Sequence, residues 1–371
     1  MIDYINSKNR IQMIKYIKEY YLSGDIIQTA KSGGMLNAVN NPYDSVVRLQ
    51  DEKKSYILKI ATSNENVYKF FDEVLMKFPY SSKYVDKIVR EVLDFFPGQR
   101  ECQLYNELEK VIPQYIPSIQ YLGINTFEKQ SYILMEDLSD YYKFNILEKN
   151  DTLGFNEIFT AIRDMARIHS ALYKIKIDFI PKIDYNYIKY HKKFFEEVIM
   201  EYSKKYSQIL DKQFFKILYG YLDGMEENLA IMNEGPYTVT HNDFNVRNCC
   251  FDCNMYGELR LKVFDWDTAR IQNPHFDLME FFMFLTRPLT EDEFFKLLVL
   301  YKDNAGAFLH MDSKQFYQLL HANLVWFSLY KFGSYSLVTT VPVKLLKLLS
   351  NNICRYERLL SVCSSNLKFR I

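Results

Sequence analysis

Two groups of polar side chains flank a short apolar hairpin late in the chain. The first lies in THNDFNVRN (240–248), where Asp243 and Asn248 precede an apolar run. The second lies in LKVFDWD (261–267), where Asp265 follows the returning strand. A hairpin of this length brings the start of its first strand beside the end of its second. We therefore expect two carboxylates and one amide to share a site.

This set of side chains suits one kind of chemistry. Carboxylate and amide oxygens are ligands for Mg²⁺, a hard cation that keeps some of its waters and binds substrate phosphates. Phosphoryl transfer needs a carboxylate that positions the attacking hydroxyl, oxygens that hold the metal, and a cation for the phosphates. The segment supplies the first two, and a lysine further upstream would supply the third.

The remaining pattern predicts strands first and helices afterwards. Alternating apolar residues at 45–49 and 55–60 flank a polar turn and predict an antiparallel hairpin, with further strands at 119–123 and 131–135. From residue 155 onward the pattern is helical, with one interruption, the hairpin at 247–265. Helices are predicted at 7–23, 64–95, 100–111, 156–173, 189–232, 276–286, 291–303, 313–331 and 341–364.

Composition excludes several classes of protein. The 46 basic residues balance the 46 acidic ones, so bulk charge favours neither nucleic acid nor an anionic membrane as a partner. No apolar run reaches the ~18 residues of a membrane span, and the first residues have no signal-peptide core. We expect a cytoplasmic protein with reduced thiols. Cys250 and Cys253 form a lone C-x-x-C without the four ligands that a zinc site usually needs.

The order of motifs resembles one superfamily. HNDFNVRN, a hydrophobic strand and DWD are similar to the motifs of the aminoglycoside phosphotransferase and choline kinase superfamily of small-molecule kinases. SGGMLN (32–37) resembles its nucleotide-covering turn, MEDL (135–138) its hinge, and MARIH (165–169) the helix under its catalytic loop. The resemblance covers residues 28–285. Asn242 stands where many relatives have Gly.

The resemblance implies an α+β, two-lobed protein-kinase-like fold, with a small β-rich N-lobe and a larger, mainly helical C-lobe. Residues 1–138 would form the nucleotide-binding lobe, an antiparallel sheet plus helices. Residues 139–371 would form the helical lobe with the catalytic loop and the acceptor cleft.

Site roles follow from the same resemblance. Asp243 is the expected catalytic base, and Asn248 and Asp265 are the expected Mg²⁺ ligands. Asp267 is either a second metal contact or a turn residue that bonds its own backbone. Lys59 would pair with the α- and β-phosphates. The residues expected to bind the nucleotide are Lys59, Glu101, Gly33, Gly34, Glu136 and Leu138.

Some of these residues have alternatives. Glu101 and Glu107 are both candidate partners for Lys59, and we choose Glu101 because it shares a helix face with Tyr105 and Leu108. Gly33 and Gly34 could form only a hairpin turn.

Three further polar side chains have structural explanations. His169 lies on an apolar stripe and is expected to be a core histidine, and His241 is expected to hold the loop by packing and hydrogen bonding. Asp277, with Glu280, fits either a helix capping pair or, as in relatives, support of the catalytic loop. We favour structural support.

The expected function is Mg²⁺-dependent transfer of the γ-phosphoryl group of ATP or GTP to a hydroxyl of a small molecule, such as an antibiotic, an amino sugar or a choline-like alcohol. The alternatives are a non-catalytic, spore-coat-like relative and an enzyme that transfers AMP. No activation segment ending in an A-P-E-like motif follows Asp265, which argues against a protein substrate. Acidic residues in the helical part could recognise a cationic acceptor, although lysines are interspersed among them. They are Glu196, Glu197, Glu201, Glu226 and Glu227.

Overall fold

The N-terminal part of the molecule is built on a six-stranded sheet. The computed structural model describes residues 2–5, 12, 15–17, 19, 27–31, 45–50, 54–61, 98–126, 130–144, 146, 151–189, 192–253, 256–336 and 343–365. The sheet has the order β1-β5-β6-β4-β3-β2. Its strands are β1 (Asp3–Ile5), β2 (Ile27–Lys31), β3 (Ser45–Gln50), β4 (Ser55–Ala61), β5 (Ile119–Asn125) and β6 (Gln130–Glu136).

The hairpin of β3 and β4 confirms the prediction and sets the position of Lys59. The strands pair antiparallel from Ser45 opposite Ile60 to Gln50 opposite Ser55. Because side chains alternate between the faces of a strand, Lys59 points away from the face that buries Leu58 and Ile60. The first helix, α1 (Gly98–Val111), packs against β5, β6 and β4.

Two N-terminal features were not predicted. β1 pairs with β5 in parallel, with Asp3 opposite Gly123, whereas every other strand pair of the described sheet is antiparallel. β2 pairs with β3. Residues 15–17, within the predicted helix 7–23, are helical. The predicted helix at 64–95 lies outside the described residues.

The C-terminal part is mainly helical and confirms the predicted fold class. A two-stranded hairpin, β8 (Cys249–Cys253) with β9 (Leu259–Val263), forms where it was predicted. A second short pair, β7 (Thr238–Thr240) with β10 (Arg270–Gln272), was missed, so the single predicted interruption was wrong. The helices are α2 (Phe155–Tyr173), α3 (Tyr185–Ile188), α4 (Lys192–Tyr206), α5 (Lys212–Asp223), α6 (Met225–Glu234), α7 (His275–Met283), α8 (Glu291–Ala305), α9 (Ser313–Ser336) and α10 (Val343–Ser365).

The helical pattern predicted at 189–232 forms three helices, α4, α5 and α6, because local signals divide it. The carboxylate of Asp211 accepts a hydrogen bond from Gln213 N at 2.7 Å and caps the start of α5. Gly224 then separates α5 from α6. Among the described helices, none combines the length and the apolarity needed to cross a bilayer.

Helix α7 is the centre of the C-terminal core. All nine of its residues are buried, including Asp277 and Glu280. A helix that is enclosed on every side must pair its charged side chains with partners inside the protein. Helix α9 packs against α7, and α10 contacts both helices. The two buried carboxylates therefore indicate a polar site inside the C-terminal core.

Candidate active site

The loop between β7 and β8 carries HNDFNVRN and is anchored by Asp277. One carboxylate oxygen, Oδ1, accepts a hydrogen bond from Asn242 N at 2.8 Å. The other, Oδ2, accepts from His241 N at 2.7 Å and contacts His169 Nε2 at 3.1 Å. The N-terminal cap of α7 is Pro274, without a side-chain cap bond. The capping interpretation of Asp277 was therefore wrong, and loop support is confirmed.

His241 acts within the loop as a neutral ring. Its Nε2 lies 2.9 Å from Phe264 O, which only accepts, and its Nδ1 accepts from Asp243 N at 3.3 Å. This pattern fixes the proton on Nε2. Burial lowers the pKa of His241, which keeps the ring uncharged. His241 therefore holds the loop by hydrogen bonding and packing, as expected from the sequence.

The conformation of Asn242 explains its identity. Its φ angle is +61°, in the left-handed region that Gly and Asn adopt most easily. Its side-chain oxygen accepts a hydrogen bond from Gln272 Nε2 at 2.9 Å. Asparagine can thus replace the Gly of many relatives and adds one bond to β10.

The carboxylate of Asp243 is partly exposed and held at both oxygens. Oδ1 lies 3.0 Å from Asn245 Nδ2, 3.3 Å from Lys331 Nζ and 3.5 Å from Arg247 Nη2. Oδ2 accepts from Asn248 Nδ2 at 2.7 Å. Burial alone would raise the pKa of Asp243, but the charges of Lys331 and Arg247 outweigh it and lower that pKa. The group is therefore ionised, and Oδ2 has the fewer donors.

The hairpin brings Asn248 beside Asp265. Phe264 N donates to Asn248 O at 3.1 Å, one step beyond the Cys249–Val263 pair of the ladder. Asp265 has a φ angle of +68°, and its N–H donates to Tyr105 Oη of α1 at 3.2 Å. The tyrosine thus supports a left-handed backbone that carries an energetic cost for a residue other than Gly.

Lys59 is the centre of a charged cluster. Its Nζ lies 2.8 Å from Glu101 Oε2 and 2.6 Å from Asp265 Oδ1, with Asp267 Oδ2 at 3.8 Å. The side chain of Glu101 is fully buried and that of Lys59 is 11% exposed. Glu107 contacts Lys110 instead, at 2.7 Å. The structure therefore pairs Lys59 with Glu101 rather than with Glu107.

The predicted hinge is held from both sides. Glu136 N donates to Ser118 O at 2.9 Å, and its carboxylate accepts from Ser118 N at 3.0 Å. Leu138 O accepts from Tyr141 N at 2.9 Å. Lys262, on β9, reaches across to Glu136 Oε2 at 3.4 Å and to Ile116 O at 3.0 Å. Gly33 and Gly34 lie outside the described residues.

The oxygen atoms at this site fit a magnesium ion that is shared with a phosphate ligand. Asn248 uses its Nδ2 for Asp243, which leaves its Oδ1 as an acceptor beside the hairpin. Asp265 adds a partly exposed carboxylate. Within the described ranges, no group of three or more His, Cys, Asp or Glu side chains is arranged to hold a metal. Amide and carboxylate oxygens such as those of Asn248 and Asp265 are suitable ligands for a hard cation such as Mg²⁺.

The acidic residues considered for acceptor recognition lie toward the surface. Glu196, Glu226 and Glu227 are exposed. Glu201 is partly exposed and contacts Lys204 at 2.8 Å, one turn away on α4. Glu197 is partly exposed as well, so none of these five side chains is buried.

Lys331 was missed by the sequence analysis although it contacts Asp243. It lies on α9, 88 residues from that aspartate. The available signal was its position in a mainly apolar helical run, after Trp326 and Tyr330 and before Phe332. Such a run does not identify the partner of the lysine, because that contact depends on how α9 packs on α7.

Solved structures agree with this architecture. A microcompartment-associated aminopropanol kinase aligns over 96% of this chain and 100% of its own, with a TM-score of 0.55 and 11% identity. A choline kinase from Streptococcus pneumoniae aligns over 95% of this chain and 100% of its own, with a TM-score of 0.51 and 16% identity. An ADP-bound aminoglycoside phosphotransferase aligns over 95% of this chain and 99% of its own, with a TM-score of 0.50 and 14% identity. The fold is therefore that of the kinase-like small-molecule phosphotransferases.

Sequence comparison gives the narrower group. The ecdysteroid kinase-like family matches residues 38–311, which is more than half of the chain, and this protein belongs to that family. No protein of curated function matches it. The predicted membership of the kinase-like small-molecule phosphotransferase superfamily is confirmed.

Proposed function

We propose that this protein is a Mg²⁺-dependent phosphotransferase that moves the γ-phosphoryl group of ATP or GTP to a hydroxyl of a small molecule. The observation that supports it is the convergence of two charged clusters on one hairpin. Lys59 contacts Glu101 and Asp265 just after β9, and Asn248 contacts Asp243 just before β8, at the same open end of the hairpin. Base, metal ligands and phosphate-binding cation are the parts that phosphoryl transfer requires.

Asp243 is the proposed base. Its Oδ1 is occupied by three donors, whereas Oδ2 accepts one bond, from Asn248. The acceptor hydroxyl would donate to Oδ2, which orients its oxygen and takes the proton as the bond to phosphorus forms. Mg²⁺, held by Asn248 Oδ1 and Asp265, would neutralise charge on the β- and γ-phosphates. Lys59, fixed by Glu101, would move from Asp265 to the α- and β-phosphates.

The nucleotide would lie between the two proposed lobes, 1–138 and 139–371. The Glu136 carbonyl and the Leu138 amide are the hinge groups proposed to contact the purine. Gly33 and Gly34 are proposed to cover the phosphates. The preference for ATP or GTP would depend on these hinge groups, whose backbone is fixed by Ser118 and Tyr141.

The acceptor is proposed to be a small molecule in the cytoplasm, with neither nucleic acid nor membrane as a partner. Fold relatives are named for aminopropanol, choline and aminoglycosides, and the family is named for ecdysteroids. All of these acceptors carry hydroxyl groups. We propose that screening should therefore span amino sugars and other antibiotics, choline-like alcohols and ecdysteroid-type alcohols.

The nucleotide site is tested by thermal shift with ATP and GTP, each with and without Mg²⁺. Wild type should be stabilised only when Mg²⁺ is present, and Asp265→Ala should lose most of that stabilisation. Asp303→Ala, a change to an exposed aspartate on α8, is the matched control and should behave as wild type. An equal response of Asp265→Ala and wild type would refute the metal assignment.

The reaction is tested by the mass of the product after acceptor screening. Asp243→Asn should bind Mg²⁺–nucleotide and lose turnover by about 100-fold or more. A phosphorylated acceptor supports the proposal, whereas an adenylylated acceptor would establish the AMP-transferring alternative. Nucleotide binding without any product would favour the non-catalytic, spore-coat-like alternative.

A further inference from the structure

Lys331 is a nearly buried cation that reaches the catalytic loop from outside the family match. It lies near the end of α9, beyond residue 311, where that match stops. Its side chain is 11% exposed. Its Nζ lies 3.0 Å from Glu280 Oε1, 3.1 Å from Asn242 O and 3.3 Å from Asp243 Oδ1. An ammonium group enclosed in this way needs partners, and three oxygens provide them.

The three partners have different relations to the reaction. Glu280 belongs to α7, has a fully buried side chain and lies next to the lysine, and burial raises the pKa of its carboxyl well above the usual value. The other two are consecutive residues of the catalytic loop, Asn242 through its carbonyl and Asp243 through its carboxylate. Lys331 thus links the packed helices of the core to the group proposed to accept the proton.

Lys331 has a distinct place among the donors to Asp243. Within the described residues, the other side chains that donate to this carboxylate are Asn245, Arg247 and Asn248, and all three belong to the loop itself. Among the described side chains that donate to this carboxylate, Lys331 is therefore the one that comes from a helix of the C-terminal core.

The loop has a second anchor, Asp277, which binds backbone N–H groups, whereas Lys331 binds a backbone carbonyl oxygen. Asp277 of α7 accepts from the N–H groups of His241 and Asn242, whereas Lys331 donates to the Asn242 carbonyl. The peptide groups on both sides of the left-handed Asn242 are therefore bonded to helices. With Lys331 on Oδ1, the free accepting capacity of the Asp243 carboxylate lies mainly at Oδ2.

We propose that Lys331 is a positioning residue that fixes Asp243 for the proposed phosphoryl transfer, so that helix α9 is a working part of the active site. The inference rests on the proposed function. In the step it serves, the acceptor oxygen forms a bond to the γ-phosphorus and the bond from that phosphorus to the β–γ bridging oxygen breaks. The nucleoside diphosphate leaves with the electron pair, and the hydroxyl proton passes to Asp243. Lys331 exchanges no proton and does not touch the substrate.

The test compares Lys331→Met with Lys331→Arg and with Lys314→Met. Lys314 is an exposed lysine at the other end of α9, so it receives the same change without the contacts. Turnover is measured with Mg²⁺–ATP and the acceptor found by product mass. If Asp243 is left misplaced, kcat should fall about 10- to 100-fold in Lys331→Met while the KM for ATP changes by less than about threefold. Lys331→Arg should recover part of the loss, and Lys314→Met should match wild type.

Glu280→Gln separates positioning from simple charge pairing. If Lys331 matters only as the partner of a buried glutamate, then Glu280→Gln and Lys331→Met should reduce kcat equally. If Lys331 positions Asp243, Glu280→Gln should keep kcat within about threefold of wild type while Lys331→Met does not. If Lys331→Met folds poorly, Lys331→Cys takes its place in this comparison. Alkylation of Lys331→Cys with 2-bromoethylamine restores an ammonium group and should restore turnover, with treated wild type as control.

The outcomes distinguish the inference from the function it rests on. A kcat for Lys331→Met within about twofold of an active wild type would overturn the role of Lys331 and leave the proposed function intact. A Cys variant that stays inactive after alkylation would also overturn it. Wild type that binds Mg²⁺–ATP but transfers no phosphoryl group to any acceptor would overturn the proposed function, and the inference with it.

Discussion

Replacing Asp277 by alanine should destabilise the whole C-terminal part of the protein. The change leaves two buried N–H groups, those of His241 and Asn242, without an acceptor, and it removes a partner of His169. Each buried group left unsatisfied costs about 2 kcal/mol, so we expect a loss of about 4 kcal/mol in the free energy of unfolding. A chain of 371 residues unfolds with an entropy of about 0.8 kcal/mol/K. The melting temperature should therefore fall by about 5 °C.

The assay is calorimetry of Asp277→Ala, Asp277→Asn and Asp303→Ala beside wild type. The asparagine variant keeps one acceptor oxygen and presents an amide to the other N–H, so its loss should lie between those of the alanine variant and wild type. Asp303 is exposed on α8, and its replacement should change stability by less than about 0.5 kcal/mol. A fall of under about 1 °C for Asp277→Ala would refute the reasoning that these bonds hold the loop.

Three further changes test other parts of the site. Tyr105→Phe removes the acceptor of the Asp265 N–H and should weaken Mg²⁺–ATP binding about fivefold, measured by calorimetric titration. The control Tyr219→Phe, at an exposed ring, should bind Mg²⁺–ATP as wild type does. Asn242→Ala should be less stable than Asn242→Gly by about 1 kcal/mol in urea unfolding, because alanine resists a φ of +61°; equal stability would contradict this. Burial lowers the pKa of His275 to about 3, so His275 should cost stability as the pH falls below about 6.5, at up to about 1.4 kcal/mol per pH unit. The acid slope of melting temperature should be shallower in His275→Asn, and an unchanged slope would refute this.

Local patterns predicted the elements that carry the chemistry. The β3–β4 hairpin, α1, β5, β6, α2 and the β8–β9 hairpin all lie close to their predicted positions. These elements have strong periodicity and polar turns, which act over a few residues. Lys59 and Glu101 come together because Lys59 points to one face of β4 and Glu101 lies on the face of α1 that packs against this strand.

Other features depended on contacts that sequence spacing does not encode. The pairing of β1 with β5 joins residues far apart in the chain and leaves no local turn as a signal. The short strands β7 and β10 have three residues each, too few to show a period. Lys331 reaches the loop only because α9 packs on α7, so its partners follow from tertiary packing. Gly33 and Gly34 remain predictions.

The bridge made by Lys262 joins the two ends of the proposed nucleotide site. This lysine of β9 bonds Ile116 O and Glu136 near the hinge, and the same strand leads three residues later to Asp265. If the purine and the metal bind at these two ends as proposed, each shifts the same strand, and linkage requires their effects on each other to be reciprocal. The identity of the base would then change the apparent affinity for Mg²⁺, and the concentration of Mg²⁺ would change the preference between ATP and GTP. Donor selectivity in such a protein would depend on ionic conditions as well as on the shape of the hinge.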